Sequence, residues 1–123
     1  MPLKVIIADD SIITVKKLLV LIEGLGHRVV ATVSTGRGAI EAYRLHRPDL
    51  MTMDISMPDM DGMEATARIV AEFPEARIVM VTSHGQERMV IDSLDAGAKG
   101  YVLKPVRIEK LSDMITKVME RSG

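Results

Sequence analysis

Cysteine and tryptophan are absent from this 123-residue chain, and aromatic residues make up only 2% of it. Without cysteine there is no disulfide framework, thiol nucleophile or cysteine metal site, and the composition fits a reducing cytosol. Neither sign of charge dominates. A formal net charge of -1 gives no electrostatic reason to expect nucleic-acid binding or a membrane surface, so proteins are the expected partners. A long apolar run is also missing: the N-terminal one is too short to cross a bilayer and is broken by Lys4, Asp9 and Asp10. With no signal-like segment, the chain reads as cytoplasmic.

What is present is a balanced globular composition, 47% hydrophobic against 27% charged, at a length suited to one domain spanning residues 1–123. Short β-branched runs alternate with helix-patterned stretches. Strands are predicted at Leu3–Ala8, Arg28–Val33, Leu50–Met53, Arg77–Val81 and Gly100–Leu103, with helices near Ser11–Leu25, Gly36–His46, Gly62–Phe73, Gln86–Ala96 and Ile108–Arg121. The last helix carries the clearest stripe, Leu111, Met114, Ile115, Val118 and Met119. Gly24, Gly26, Pro48, Pro74 and Gly97 punctuate helix ends. Strand and helix in alternation indicate βαβ units, and nearly continuous apolar strands imply a parallel sheet covered on both faces. The expected fold is a doubly wound α/β sandwich of three layers.

In such sheets ligands bind beyond the carboxyl ends of the strands. Asp54 follows the run Leu50–Met53, Asp9 and Asp10 end the first strand, and Lys104 ends the fifth. If the first and third strands are neighbours, three carboxylates converge, and like charges at close range raise a pKa unless a cation compensates. Oxygen ligands suit Mg²⁺, which keeps waters and often shares its coordination with a phosphate. Lys104 would add a second positive charge, and the hydroxyl of Thr82 a hydrogen bond to a phosphoryl oxygen. A carboxylate such as Asp54 attacking phosphorus needs no general base, so the chemistry reduces to positioning and charge neutralisation.

Asp9-Asp10, Asp54 with Met57-Pro58 and Gly62, then Thr82, Tyr101 and Lys104-Pro105 form a set that resembles the receiver domain of bacterial response regulators. The likeness covers essentially the whole chain and is similar in detail to the single-domain chemotaxis regulators, especially along GQERMVIDSLDAGAKGYVLKP, residues 85–105. It implies a flavodoxin-like (βα)5 fold with strand order 2-1-3-4-5 and Asp54 as phosphoacceptor from a sensor histidine kinase. Mg²⁺ would be held by Asp10, Asp54 and the backbone carbonyl of Ser56, with Asp9 acting through a water. Lys104 would pair with the phosphoryl group, positioned by a cis peptide before Pro105. Thr82 would move toward the phosphate and Tyr101 would turn inward behind it. That change would remodel the surface of the fourth helix, fifth strand and fifth helix for a downstream protein such as a flagellar motor component. A phosphatase is a further partner the resemblance implies. Ser83 departs from the family, which often has alanine there, and Ser56 and His84 stand at the positions that tune phosphoryl lifetime.

Competing readings apply to each residue. Asp9 or Asp10 would serve equally as a helix N-cap, Gly62 as a permissive backbone angle after its loop, and Tyr101 as core. The acidic loop at residues 57–62 lacks the first acid and closing glutamate of an EF-hand, since Met57 and Arg68 stand there. His27, His46 and His84 share no ligand spacing, and the ten methionines are read as packing. Ile13, Val20 and Met89 look surplus to one core stripe and are candidate contacts for partners. An aspartate-nucleophile phosphatase would carry a second acid where this chain has Ser56. A flavodoxin-like electron carrier would need a glycine-rich phosphate loop and aromatic residues around a flavin. Within the receiver reading, a stand-alone messenger competes with a receiver excised from a longer regulator with a DNA-binding or enzymatic output. No output domain is read after Arg121-Ser122-Gly123, which favours the messenger.

Overall fold

A computed structural model describes residues 2–121; residues 1, 122 and 123 of the expected domain lie outside them. The chain alternates strand and helix five times: β1 (Lys4–Ala8), α1 (Ile12–Gly24), β2 (Arg28–Val33), α2 (Gly36–His46), β3 (Leu50–Met53), α3 (Gly62–Glu72), β4 (Ile78–Thr82), α4 (Glu87–Asp95), β5 (Gly100–Leu103) and α5 (Ile108–Arg121). All strand pairs are parallel, in the order β2-β1-β3-β4-β5. The expected doubly wound fold is what forms. Pairing of β1 with β2 slips by one residue between Val5 and Ile6.

Alternate residues of each strand point to opposite faces, and here they feed two separate cores. Val5, Ile7, Leu50, Val79, Val81 and Val102 pack against Leu18 and Ile22 of α1 and Leu111, Ile115 and Val118 of α5. Ile6, Ala8, Met51, Met53, Ile78 and Met80 face Ala39, Ile40 and Tyr43 of α2 and Ala65 and Ile69 of α3. The second core is rich in methionine: Met57 joins Met51, Met53 and Met80, with Met60, Met63 and Met89 packed at its margin. Met89 therefore belongs to packing rather than to a free surface, contrary to the sequence expectation.

Helix ends follow local chemistry. Ser11, Thr35 and Asp61 are the N-caps of α1, α2 and α3, each accepting the N–H three residues on. Gly26 and Gly97 take positive φ of 92° and 113° after α1 and α4. Gly24 instead lies inside α1, and Arg47 supplies the left-handed residue that ends α2, at φ 44°. Arg47 is held there by its guanidinium stacking 4.1 Å over the Phe73 ring. His27 Nδ1 accepts the Leu3 N–H at 3.1 Å, a structural role.

Coverage of the sheet is incomplete at β5. Gly100 and Val102 are buried, on the side where Met114 and Val118 of α5 pack, but Tyr101 and Leu103 on the other side are exposed. On α1, Ile13 and Val20 are exposed as expected, and so is Ile12.

Leu111, fully buried against α1 and the sheet, and Ile13, 81% exposed, set the scale of the core. Leu111→Ala is expected to cost about 3 kcal/mol in urea unfolding, and Ile13→Ala less than about 0.5 kcal/mol.

Candidate functional site: an acidic pocket at the carboxyl edge of the sheet

Three residues that immediately follow strands are pinned to neighbouring strands. The Asp9 N–H donates to the Val33 carbonyl (2.9 Å), that of Asp54 to Ala8 (2.8 Å) and that of Lys104 to Thr82 (2.8 Å). These bonds extend the parallel ladder one residue past the strands, so charged side chains inherit the placement of the core. Asp9, Asp10 and Asp54 each bring an oxygen within 4.8 Å of the other two. Lys104 Nζ reaches in from β5, 3.1 Å from Asp9 Oδ2 and 3.5 Å from Asp54 Oδ1. The Lys104–Pro105 peptide is cis.

Asp9 and Asp54 are buried and Asp10 is exposed. Burial pushes the Asp54 carboxyl up from 3.8 to about 6, with the Asp9 charge adding to the rise, Lys104 opposing it, and Asp10 contributing a shared hydrogen bond and its own charge. One ammonium faces three carboxylates, so the pocket remains short of positive charge. Asp9 Oδ1 is engaged by the Ser11 N–H at 2.8 Å. Its fully buried partner oxygen, Oδ2, makes no hydrogen bond and has the Lys104 charge beside it. Neither aspartate caps α1; Ser11 does.

The remaining expected residues lie around this centre. Thr82, buried at the last position of β4, accepts the His84 N–H on Oγ1 at 3.0 Å, which leaves its own proton available to donate. Ser56, Ser83 and His84 are exposed on the flanking loops. Tyr101 is not in the pocket; its side chain stands at the exposed edge of β5.

Gly62 corrects the sequence reading. Its φ is not among the positive ones; what it permits is close approach, since a Cβ there would overlap the carbonyl oxygen of Asp54. Its N–H closes the loop on the Ile55 carbonyl at 2.6 Å. Asp59 was not singled out in the sequence. Its carboxylate accepts the Gly36 and Arg37 N–H groups, partners more than twenty residues away for which no local pattern gives a signal.

The model of the response regulator receiver domain matches residues 5–116. The chain belongs to that family. A receiver domain of this kind is consistent with a phosphoacceptor signalling switch of a two-component system, and its close resemblance is to chemotaxis regulators. The chemotaxis protein CheY of Bacillus subtilis is 38% identical over 94% of this chain and 97% of its own length. CheY of Thermotoga maritima is 36% identical over 94% and 96%. Among solved structures, CheY in a CheX-CheY-BeF3-Mg²⁺ complex from Borrelia burgdorferi superposes with a TM-score of 0.93 at 34% identity, covering 97% of this chain and 90% of that one. With the receiver family in place, the phosphatase and electron-carrier readings lose their basis: Ser56 stands where the first needs its second acid, and aromatic residues, which the second needs around a flavin, make up only 2% of the chain.

Between about pH 4 and 6 the folded receiver binds more protons than the unfolded chain, so the penalty of burying the Asp54 charge is present above pH 6 and is lost as pH falls toward 4. Asp54→Asn is therefore expected to raise unfolding stability at pH 7.5 by about 1–2 kcal/mol, a figure reduced for the pocket's opening to solvent, and to give no advantage near pH 4. Urea titrations of both proteins at the two pH values test this; an advantage independent of pH would contradict it. Gly62→Ala is expected to cost about 2–3 kcal/mol in the same assay, because the loop must move off the Asp54 carbonyl.

Proposed function

We propose that this receiver works as a Mg²⁺-dependent switch in which Asp54 accepts the phosphoryl group of a phosphohistidine on a sensor histidine kinase. The observation that carries the reading is the buried Asp54 carboxylate at the end of β3, flanked by Asp9 and Asp10 and faced by the Lys104 ammonium. In the transfer an Asp54 oxygen forms the new bond to phosphorus as the N–P bond breaks, and the imidazole leaves with the bonding pair. Lys104 follows the developing charge from Asp9 and Asp54 onto the phosphoryl oxygens, and the free Thr82 proton donates to one of them.

Asp10, Asp54 and the Ser56 carbonyl are the groups that would hold Mg²⁺, with Asp9 acting through a water. The buried Asp9 Oδ2 without a hydrogen bond and the shortage of positive charge suit a hard divalent cation. Bound there, Mg²⁺ supplies the positive charge that offsets the phosphoryl oxygens. The Borrelia burgdorferi relative solved with Mg²⁺ supports this assignment.

Beyond self-phosphorylation and its reversal, no turnover of an external substrate is proposed. Thr82 and Tyr101 are the switch: attraction of Thr82 toward the phosphate vacates space that Tyr101, exposed on β5, turns to fill. The exposed Ile91, Leu94, Tyr101, Leu103 and Ile108 then present an altered α4-β5-α5 surface to a downstream protein, in chemotaxis a flagellar motor component. The phosphoryl group biases this equilibrium only through its unequal contacts with the two states. No helix among the described residues is long and apolar enough to cross a membrane, and the cytoplasm is the proposed setting.

Incubation with acetyl phosphate and Mg²⁺, followed by intact-mass measurement, is expected to show one phosphoryl adduct on the wild type. The adduct should be lost with a chelator and absent from Asp54→Asn, and Lys104→Ala should slow its formation by about tenfold or more. An adduct that survives in Asp54→Asn overturns the acceptor assignment.

A further inference from the structure

The loop at residues 55–61 is closed at its base by the Gly62 N–H on the Ile55 carbonyl, and its tip is tied to a different element. Asp59 Oδ1 accepts the Gly36 N–H at 2.7 Å and Oδ2 the Arg37 N–H at 2.9 Å, while Oδ1 also takes the Met60 N–H at 2.8 Å. Gly36 and Arg37 open α2, where backbone donors have no partner within the helix. The helix's own N-cap, Thr35, serves the next donor, Gly38, at 2.9 Å. Thus the loop after β3 supplies two of the acceptors α2 needs, and the segment before α2 supplies one.

A second contact is independent of the first. Met60 sits so close to Gly36 that a Cβ at that position would overlap Met60 Cγ. Glycine is a poor helix former, and the approach of the loop accounts for its presence there. Charge favours the arrangement too, because a carboxylate at a helix N-terminus meets the positive end of the helix dipole. Hydrogen bonds from Arg37, Gly36 and Met60 hold the Asp59 carboxyl below the usual range, so it stays ionised at neutral pH.

We propose that Asp59 is a positioning residue for the acidic pocket: by bracing the loop against α2 it fixes the Ser56 carbonyl beside Asp54, and α2 becomes an outer strut of the cation site. This rests on the Mg²⁺ reading given above. Asp59 touches neither cation nor phosphate. Its effect falls on how well the loop is held before either arrives.

The test compares wild type, Asp59→Ala, Asp59→Asn and Thr35→Ala by thermal unfolding across a Mg²⁺ titration, and by the rate of acetyl phosphate labelling at each Mg²⁺ concentration. Thr35→Ala removes a cap from the same helix without touching the loop. Asp59→Ala is expected to raise the half-saturating Mg²⁺ concentration about tenfold, Asp59→Asn to about threefold or less, and Thr35→Ala to leave it unchanged despite a comparable fall in Tm. At saturating Mg²⁺ the labelling rate of Asp59→Ala should recover to within about threefold of wild type. Asp59→Asn, which keeps one acceptor oxygen, gives the reading if the alanine variant does not fold. Equal half-saturation in all four proteins overturns the strut, as does a wild type whose unfolding ignores Mg²⁺. A wild type that binds Mg²⁺ in an Asp59-dependent way but takes no phosphoryl group would leave the strut standing and remove the phosphoacceptor reading.

Discussion

Holding three carboxylates within one pocket is a charge-repulsion problem, and the main-chain ladder of the parallel sheet solves it. Asp9, Asp54 and Lys104 each donate a backbone hydrogen bond to an adjacent strand. Moving any of these side chains away from the others would break a buried main-chain bond and disturb the two cores beneath. The net worth of each such bond is only about 1 kcal/mol, but leaving its donor buried and unpaired costs more. Repulsion is thereby stored rather than relieved, and it adds to burial in raising the Asp54 carboxyl to about 6. A pocket in that condition has a standing affinity for positive charge, and Lys104 satisfies it in part.

Much of this was legible in the sequence because it depends on strand ends. An acid directly after a buried apolar run can only sit at the carboxyl edge of a parallel sheet, and five such runs separated by helical stretches leave little choice of fold. The alternation located all five strands and all five helices, with β4 one residue later than expected so that Thr82 lies inside it. Less legible were features that depend on which segments meet. The reason for Gly62 is the carbonyl of Asp54 behind it, and the reason for Asp59 is the start of α2. Sequence spacing encodes period and reach within one element, whereas these contacts are set by how two loops arrive at the same edge. The predicted first helix begins at Ser11, which in the structure is the N-cap of α1, and this leaves both neighbouring aspartates to the pocket.

The exposed edge of β5 has the opposite character. Tyr101 and Leu103 carry apolar surface that a fully covered sheet would bury, and the fold tolerates it because the other strands fill both cores. In the proposed switch this surface is what a change of shape would cover. Burial of part of the Tyr101 ring would then offset a local rearrangement that is otherwise unfavourable.

The sheet also divides two fillings of unequal stiffness. Toward α1 and α5 the packing is dominated by valine, isoleucine and leucine, most of them branched at Cβ and confined to few rotamers. Toward α2 and α3 alanine and isoleucine predominate, but four unbranched thioethers are interleaved with them, including Met53 and Met57 on either side of Asp54. The face toward α2 and α3 is therefore the more adaptable of the two. Beside Asp54, the side chains that can change rotamer without opening voids lie on that face, while the β-branched residues of the other face are the ones that fix how the strands pack.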